Sequence, residues 1–221
     1  MCGRFSLGVP TEALQEQFQL FGGPVVVPRY NIAPTQPVAA VRMAAGGERE
    51  LVMLRWGLIP SWAKDMAMGA RMINARAETV AEKPSFRSAL KSRRCLIAAD
   101  GFYEWRKEES GKQPYFIRLR GGGPFAFAGL WETWKGVEGP IESCTIITTE
   151  ANEMMRELHH RMPVILPPED YSQWLKPDET DREVLLGLLR PFASGELEAL
   201  RVSTHVNSPA HDDPQCMAPV A

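Results

Sequence analysis

Cys95-Leu96-Ile97-Ala98-Ala99-Asp100-Gly101-Phe102-Tyr103-Glu104-Trp105 is the stretch from which the architecture follows. Its first five residues form an unbroken apolar run, short enough for a strand buried on both faces. Asp100-Gly101 is a turn signal. Phe102 to Trp105 then alternate. Glu104 shares a face with Phe102, while Tyr103 and Trp105 point the other way. A carboxylate set among aromatics is a candidate for a raised pKa, because desolvation disfavours its charged form. The commoner situation is an edge-strand glutamate paired with a lysine such as Lys107.

Working outward towards the C-terminus, residues 114–120 and 124–131 read as strands around Gly121-Gly122-Gly123. Residues 144–149 are a further strand, rich in β-branched side chains. Residues 152–158 carry Met154, Met155 and Leu158 on one helical side, closed by His159-His160-Arg161-Met162-Pro163. The residue before a proline is pushed out of the α region. Val164-Ile165-Leu166 is a core strand. Pro167-Pro168-Glu169 opens a helix through Trp174 and Leu175. Thr180 and Glu183 form a capping box before the apolar run at 184–189. Residues 200–204 make a last strand, and a polar tail begins at about Asn207 on the surface.

Towards the N-terminus, 51–56 and 38–43 form a hairpin around Gly46-Gly47, and 25–27 is a short β run. Residues 11–21 carry Leu14, Phe18 and Phe21 in a helical stripe that ends at Gly22-Gly23. Phe5-Ser6-Leu7 is a strand. Arg29-Tyr30-Asn31-Ile32-Ala33-Pro34-Thr35-Gln36-Pro37 reads as a rigid connecting loop, of the kind that often carries sites. Many strands with few helices predict an α+β fold. It is one domain over residues 1–221, with a curved, barrel-like antiparallel sheet core and peripheral helices.

The 221 residues are 44% hydrophobic, enough for a sizeable core. No stretch is apolar and long enough to span a membrane, and no secretory signal opens the chain. Cys2, Cys95, Cys144 and Cys216 are far apart and form no C-x-x-C pair, so the spacing predicts neither a zinc site nor any other metal or cofactor. Widely spaced thiols suit a reducing, cytoplasmic setting. Lys+Arg number 25 against Asp+Glu 27, a net charge of −2, which argues against a generic nucleic-acid coat but leaves room for one basic groove.

The first residues carry the least ordinary chemistry. Removal of Met1, by the protein itself or by an aminopeptidase, exposes Cys2 with an α-amine and a thiol on adjacent carbons. The amine titrates near ~7.7–8.0 and the thiol near ~8.5. Such an amine condenses with an aldehyde to an imine, on which the thiol closes a five-membered thiazolidine. No internal cysteine has this option. Asn74, Arg76 and Glu78 share a face if their segment is extended; solvation alone accounts for three such polar groups, and Asn with Arg near an aromatic loop equally suits phosphate and base contacts.

Six motifs occur in order along nearly the whole chain: Cys2-Gly3-Arg4-Phe5, Arg29 to Pro34, Trp56-Gly57-Leu58-Ile59-Pro60, Ile73 to Thr79, Asp100 to Trp105, and His159 to Pro163. Together they resemble the SRAP family, the SOS-response-associated peptidases, understood as sensors of abasic sites in single-stranded DNA. The resemblance implies a role for each matching residue. Cys2 bonds the abasic sugar after Met1 is removed. Asn74 holds the sugar and the N-terminus, Glu104 is a general acid/base, and His159 is the catalytic histidine. Arg4, Arg76 and Arg161 contact phosphates, while Asn31, Pro34 and Trp62 line the strand and wedge its bases apart. Some relatives carry a second tryptophan where this chain has Ala63. The implied partner is single-stranded DNA containing abasic sites, bound by a monomer without cofactor, metal or membrane. The alternative is an N-terminal-nucleophile amidohydrolase or peptidase, which uses the same terminus.

Overall fold

The computed structural model describes residues 2–109, 111–179 and 181–220. In chain order its strands are β1 (Phe5–Leu7), β2 (Arg29–Ile32), β3 (Pro37–Met43), β4 (Arg49–Trp56), β5 (Asn74–Arg76), β6 (Arg94–Ala99), β7 (Gly101–Glu108), β8 (Gly111–Leu119), β9 (Phe125–Gly136), β10 (Gly139–Glu150), β11 (Arg161–Pro163), β12 (Ile165–Leu166) and β13 (Leu197–Arg201). The helices are α1 (Thr11–Phe18), α2 (Arg87–Ser92), α3 (Glu153–Arg156), α4 (Tyr171–Leu175) and α5 (Arg182–Gly187).

Five strands close on themselves in the order β10-β4-β3-β6-β9, with β9 returning to β10 from Gly139↔Gly136 to Ile146↔Gly129. A closed ring of five cannot alternate direction all the way round. The odd seam is β10–β4, which runs parallel with Cys144 opposite Trp56. The α+β class and the barrel-like core are therefore as expected, with one parallel seam in an otherwise antiparallel ring. A second sheet, β13-β8-β7-β1-β2, lies beside it.

The stretch from Cys95 to Trp105 joins the two layers. Every residue of β6 is buried, as the apolar run predicted, and β7 leaves the barrel for the second sheet. A Cβ on Gly101 would lie 2.1 Å from Phe116 Cζ, so a glycine is needed there to admit a ring. Asp100, beside it, accepts from Ser6 Oγ at 2.5 Å and from the Gly8 N–H at 2.6 Å, tying this corner to β1. Arg94, almost fully buried, donates to the carbonyls of Leu90 and Lys91 in α2 and of Trp174 and Lys176 at the end of α4. Such a cation at two helix C-termini satisfies carbonyls that have no partner within the helix.

Several local expectations are corrected. The first helix ends at Gln19, which takes the left-handed conformation at φ 55°, and Phe21 beyond it is fully exposed. Residues 25–27 are not a strand. Only Val26 is buried, held by its N–H on Thr11 Oγ1 at 2.9 Å. The segment taken as a connecting loop begins as β2. The helix after Asn152 is one turn long, and Arg161–Pro163 is a strand on β10 rather than the helix's end. The last strand starts at Leu197, because it pairs with β8 throughout. Thr180 of the expected capping box lies outside the described residues. Asp181 caps α5, accepting from the Glu183 N–H at 2.8 Å. The C-terminal tail runs over the surface but is anchored: Cys216 is completely buried and the Asp212 carboxylate accepts from the backbone of Tyr30 and Asn31. Among the described residues, no helix is long and apolar enough to cross a membrane.

Candidate functional site

Strand β1 lies between β2 and β7, with Phe5 opposite both Ile32 and Phe102. The Tyr103 N–H donates to the Arg4 carbonyl at 2.9 Å, so the β1–β7 ladder continues past Phe5 towards the N-terminus. Counted back in this register, Gly3 falls opposite Glu104. That is how the start of the chain and a residue 101 positions later reach one place. Glu104 is 4% exposed on a strand with neighbours on both sides, so it is not an edge-strand glutamate.

Strand β10 supplies the other half. Beside it runs β5 in parallel, with Asn74 opposite Ile146, and at its end lies β11, with Arg161 opposite Glu150. Asn74 Nδ2 donates to the Cys2 carbonyl at 2.8 Å across 72 positions of sequence. Among the described residues, Asn74 Oδ1 is buried without a hydrogen-bond partner. Barrel and second sheet thus meet at Cys2: β5, paired on β10, delivers the asparagine and β7 the carboxylate.

His159 follows α3, its N–H on the Met155 carbonyl at 2.8 Å. His159 Nδ1 faces the backbone of Arg161, 2.9 Å from its N–H and 3.2 Å from its carbonyl; the shorter contact favours Nδ1 as acceptor, with the proton of the neutral ring on Nε2. Burial lowers the His159 pKa below its usual 6.5, against the opposing pull of Glu104. Cys2 is fully buried. Burial pushes its thiol well above the ordinary range, and the Glu104 charge adds to this. Glu104 is therefore near enough to act electrostatically on both Cys2 and His159. The arrangement offers a neutral base, a carboxylate and a thiol held in its protonated form.

The residues expected to meet a nucleic-acid strand divide into two groups. Trp62 is 56% exposed and lines a cavity of about 400 Å³ with Lys64, Asp65, Ala67, Met68 and Arg71. Arg76 is exposed at the end of β5. Pro34 is half-buried in a turn closed by the Gln36 N–H on the Ala33 carbonyl, and Thr35 in that turn has φ 72°. A β-branched residue is rare in the left-handed region. It is held there by its N–H on the Trp56 carbonyl at 2.8 Å and by Arg55 on its own carbonyl at 2.9 Å.

The second group is engaged inside the protein. Asn31 has no exposed surface. Its Nδ2 donates to the carbonyls of Val206, Ser208 and His211, so it clamps the C-terminal segment and does not line a groove. Arg4 donates to Asn31 Oδ1 at 2.7 Å and to the Val206 carbonyl at 3.0 Å, with its guanidinium 5.8 Å from the centroid of the Trp105 ring. Arg161 forms a two-pronged pair with Glu78, one arm at 3.0 Å, and donates to the Thr148 carbonyl at 2.7 Å. Glu78, in the turn after β5, is consequently held below the usual carboxylate range by that hydrogen bond.

Sequence reasoning missed Asp212, which also pairs with Arg29 and so holds β2 against the tail. An acidic pair in a polar tail gave no cue. It also missed the link between Glu78 and Arg161, although placing Glu78 with Asn74 and Arg76 was a partial signal.

The chain is similar to several known proteins. The chain is 48% identical over 220 residues to the abasic site processing protein YoqW of Bacillus subtilis, covering 97% of this chain and 98% of that one. It is 35% identical to the abasic site processing protein HMCES of Gallus gallus, over 87% of this chain and 66% of the other. A crystal structure from Bacteroides thetaiotaomicron superposes with a TM-score of 0.88 at 26% identity, covering all of both chains. The family profile described as SOS response associated peptidase (SRAP) matches residues 1–209, and the chain belongs to that family.

Proposed function

We propose that this protein processes abasic sites in single-stranded DNA by covalent capture at Cys2, after removal of Met1, which lies outside the described residues. The observation that carries the reading is the hydrogen bond from Asn74 to the Cys2 carbonyl, at a point where Glu104 and His159 converge. Such a bond fixes the N-terminal residue in a site that contains both an acid and a base. Asn74 Oδ1, buried without a partner among the described residues, would accept from the α-amine that Met1 removal creates.

The chemistry follows in balanced steps. An abasic sugar is mostly a closed hemiacetal. Opening it takes a proton from the C1′ hydroxyl and delivers one to the ring oxygen, a task for His159 and Glu104. The Cys2 amine adds to the C1′ aldehyde and water leaves, forming an imine. The thiol then adds to the imine carbon and its proton passes to the nitrogen, closing the thiazolidine. Nitrogen attacks first, and sulfur follows as a near neighbour on the adjacent carbon. Ring closure removes the imine from which β-elimination would break the strand. Self-removal of Met1 would account for the peptidase in the family's description with the same residues.

Strand binding rests on Arg76 and Arg161 for phosphates and on Trp62 and Pro34 for bases, a mode that tolerates any sequence. Arg161 must exchange Glu78 for phosphate. One positive face suffices, so the net charge of −2 is no obstacle.

The test is to mix the purified protein with a single-stranded oligonucleotide carrying one abasic site. The expected product is a denaturant-resistant band whose mass places the sugar on Cys2. Absence of the band, retention of Met1 in crosslinking protein, or an adduct on another side chain would overturn the proposal.

A further inference from the structure

We propose that His205, Asp213 and Cys216 form a divalent-metal site of the zinc class, remote in role from the capture chemistry, that pins the C-terminal segment. Linear spacing hid it, because no C-x-x-C pair is present. The fold assembles one nitrogen, one oxygen and one sulfur donor with all three ligand atoms within 4.8 Å of one another. His205 Nε2 and Asp213 Oδ2 are 3.0 Å apart. Two ligands on one tetrahedral zinc are separated by roughly 3.3–3.6 Å, given metal–ligand bonds of about 2.0–2.3 Å. Small rotations of side chains would therefore seat the ion.

Asp213 and the His205 ring are each held by a second contact besides the one they make to each other. Asp213 Oδ1 accepts from the Gln215 N–H at 2.9 Å, which leaves Oδ2 facing His205. The His205 ring stacks on His211 with centroids 3.9 Å apart and planes 7° from parallel, and His211 Nδ1 donates to the His205 carbonyl at 2.7 Å. Cys216 is fully buried at the floor of the cluster, while the His205 and Asp213 side chains are 27% and 45% exposed. That gradient leaves an open side on which water completes a tetrahedron. On binding, the Cys216 S–H bond breaks, its proton goes to solvent, and a sulfur–metal bond forms in place of the weak S–H contact to the His211 carbonyl.

His205 lies in the single turn Thr204–Asn207, Cys216 in the single turn Pro214–Met217, and Asp213 caps the second turn; of the carbonyls clamped by Asn31, that of Val206 is in the first turn and those of Ser208 and His211 lie between the two. An ion here staples both ends of the segment on which Asn31 and Arg4 close.

The test uses the full chain, freed of metal by chelation and titrated with Co²⁺. The expected result is one equivalent bound, with a thiolate-to-cobalt charge-transfer band and tetrahedral visible absorption that Zn²⁺ displaces. Cys216→Ser and His205→Gln should abolish the band and Cys2→Ser should keep it. Because Cys216 is buried, His205→Gln, half-exposed and checked for native circular dichroism, guards against simple misfolding. Zn²⁺ should also raise the Tm of the wild type and leave that of His205→Gln unmoved. No charge-transfer band, or one that survives Cys216→Ser and disappears in Cys2→Ser, would overturn the proposal.

Discussion

The cluster at Cys2 and the clamp at Asn31 draw on different neighbours of the first strand, β7 with Glu104 and β2 with Asn31, and they are built differently. At Cys2, backbone ladders do the positioning: β1 on β7 brings Glu104, β5 on β10 brings Asn74, and β11 on β10 brings Arg161. At Asn31, one amide and one carboxylate hold a segment without strand pairing, through five side-chain-to-backbone hydrogen bonds. A ladder survives loss of one side chain, because its hydrogen bonds are made by the backbone. A clamp made of two side chains does not. Substitutions in the first region should therefore remove chemistry and leave the fold, and those in the second should weaken the fold first.

The sharpest way to break that distinction is Cys2→Ala. It should abolish the stable adduct entirely while leaving circular dichroism unchanged; an unfolded variant would show that the nucleophile is also a structural necessity. Glu104→Gln should slow adduct formation by about 10²–10⁴-fold, the usual contribution of a positioned acid or base, with native Tm. A rate within about twofold of wild type in single-turnover gels would remove Glu104 from the chemistry.

Asp212→Ala tests the other region. It strands the Tyr30 and Asn31 N–H groups and removes one partner of the Arg29 guanidinium, which keeps its bond to Gln36. At about 1–3 kcal/mol for each group left buried and unpaired, a net loss of about 2–4 kcal/mol is expected. That lowers Tm by roughly 5–15 °C in a domain of this size. Adduct formation well below the transition should fall much less than in Glu104→Gln. Calorimetry that found no change in Tm would place the clamp's strength elsewhere.

A smaller effect sharpens the chemistry. His159 is neutral at pH 7 because burial favours its uncharged form. Acid protonates it and removes the base, so the rate should fall as pH drops through a value below 6.5. His159→Ala should lose that limb; a profile unchanged by the substitution would assign the titration to another group. The least effect is expected from Glu78→Gln. A half-exposed ion pair contributes ~0–1 kcal/mol, so Tm should hardly move. Releasing Arg161 should strengthen binding to single strands measured by fluorescence anisotropy, and weaker binding would mean that Glu78 orients the arginine.

How far the sequence could be read follows the same division. The β6 run was legible because burial on both faces demands unbroken apolar side chains. The helix at 11–18 was legible from its stripe, but its end was not, since Gln19 takes a conformation that Gly22 and Gly23 seemed better suited to supply. Asn31 resembled a strand-lining residue because its motif is polar and proline-rich, while its burial depends on carbonyls 175 to 180 positions away. Arg161 and Arg4 were recognisable as cations of the site. That one is occupied by Glu78 and the other by Asn31 and Val206 depends on distance, which motif order does not contain.

Composition and pattern were sufficient, by themselves, to determine a strand-rich single domain with few helices and to single out Cys2 as an unusual terminus, while the grouping of Asn74, Glu104 and His159 rested on the order of the family's motifs. Local side-chain alternation and residue chemistry are written in the order of the chain. The closing of five strands with one parallel seam, the meeting of barrel and second sheet at Cys2, and the gathering of His205, Asp213 and Cys216 were decided only in three dimensions. Strand partners and register join residues far apart in sequence, and no local property of either partner encodes which ladder it will enter.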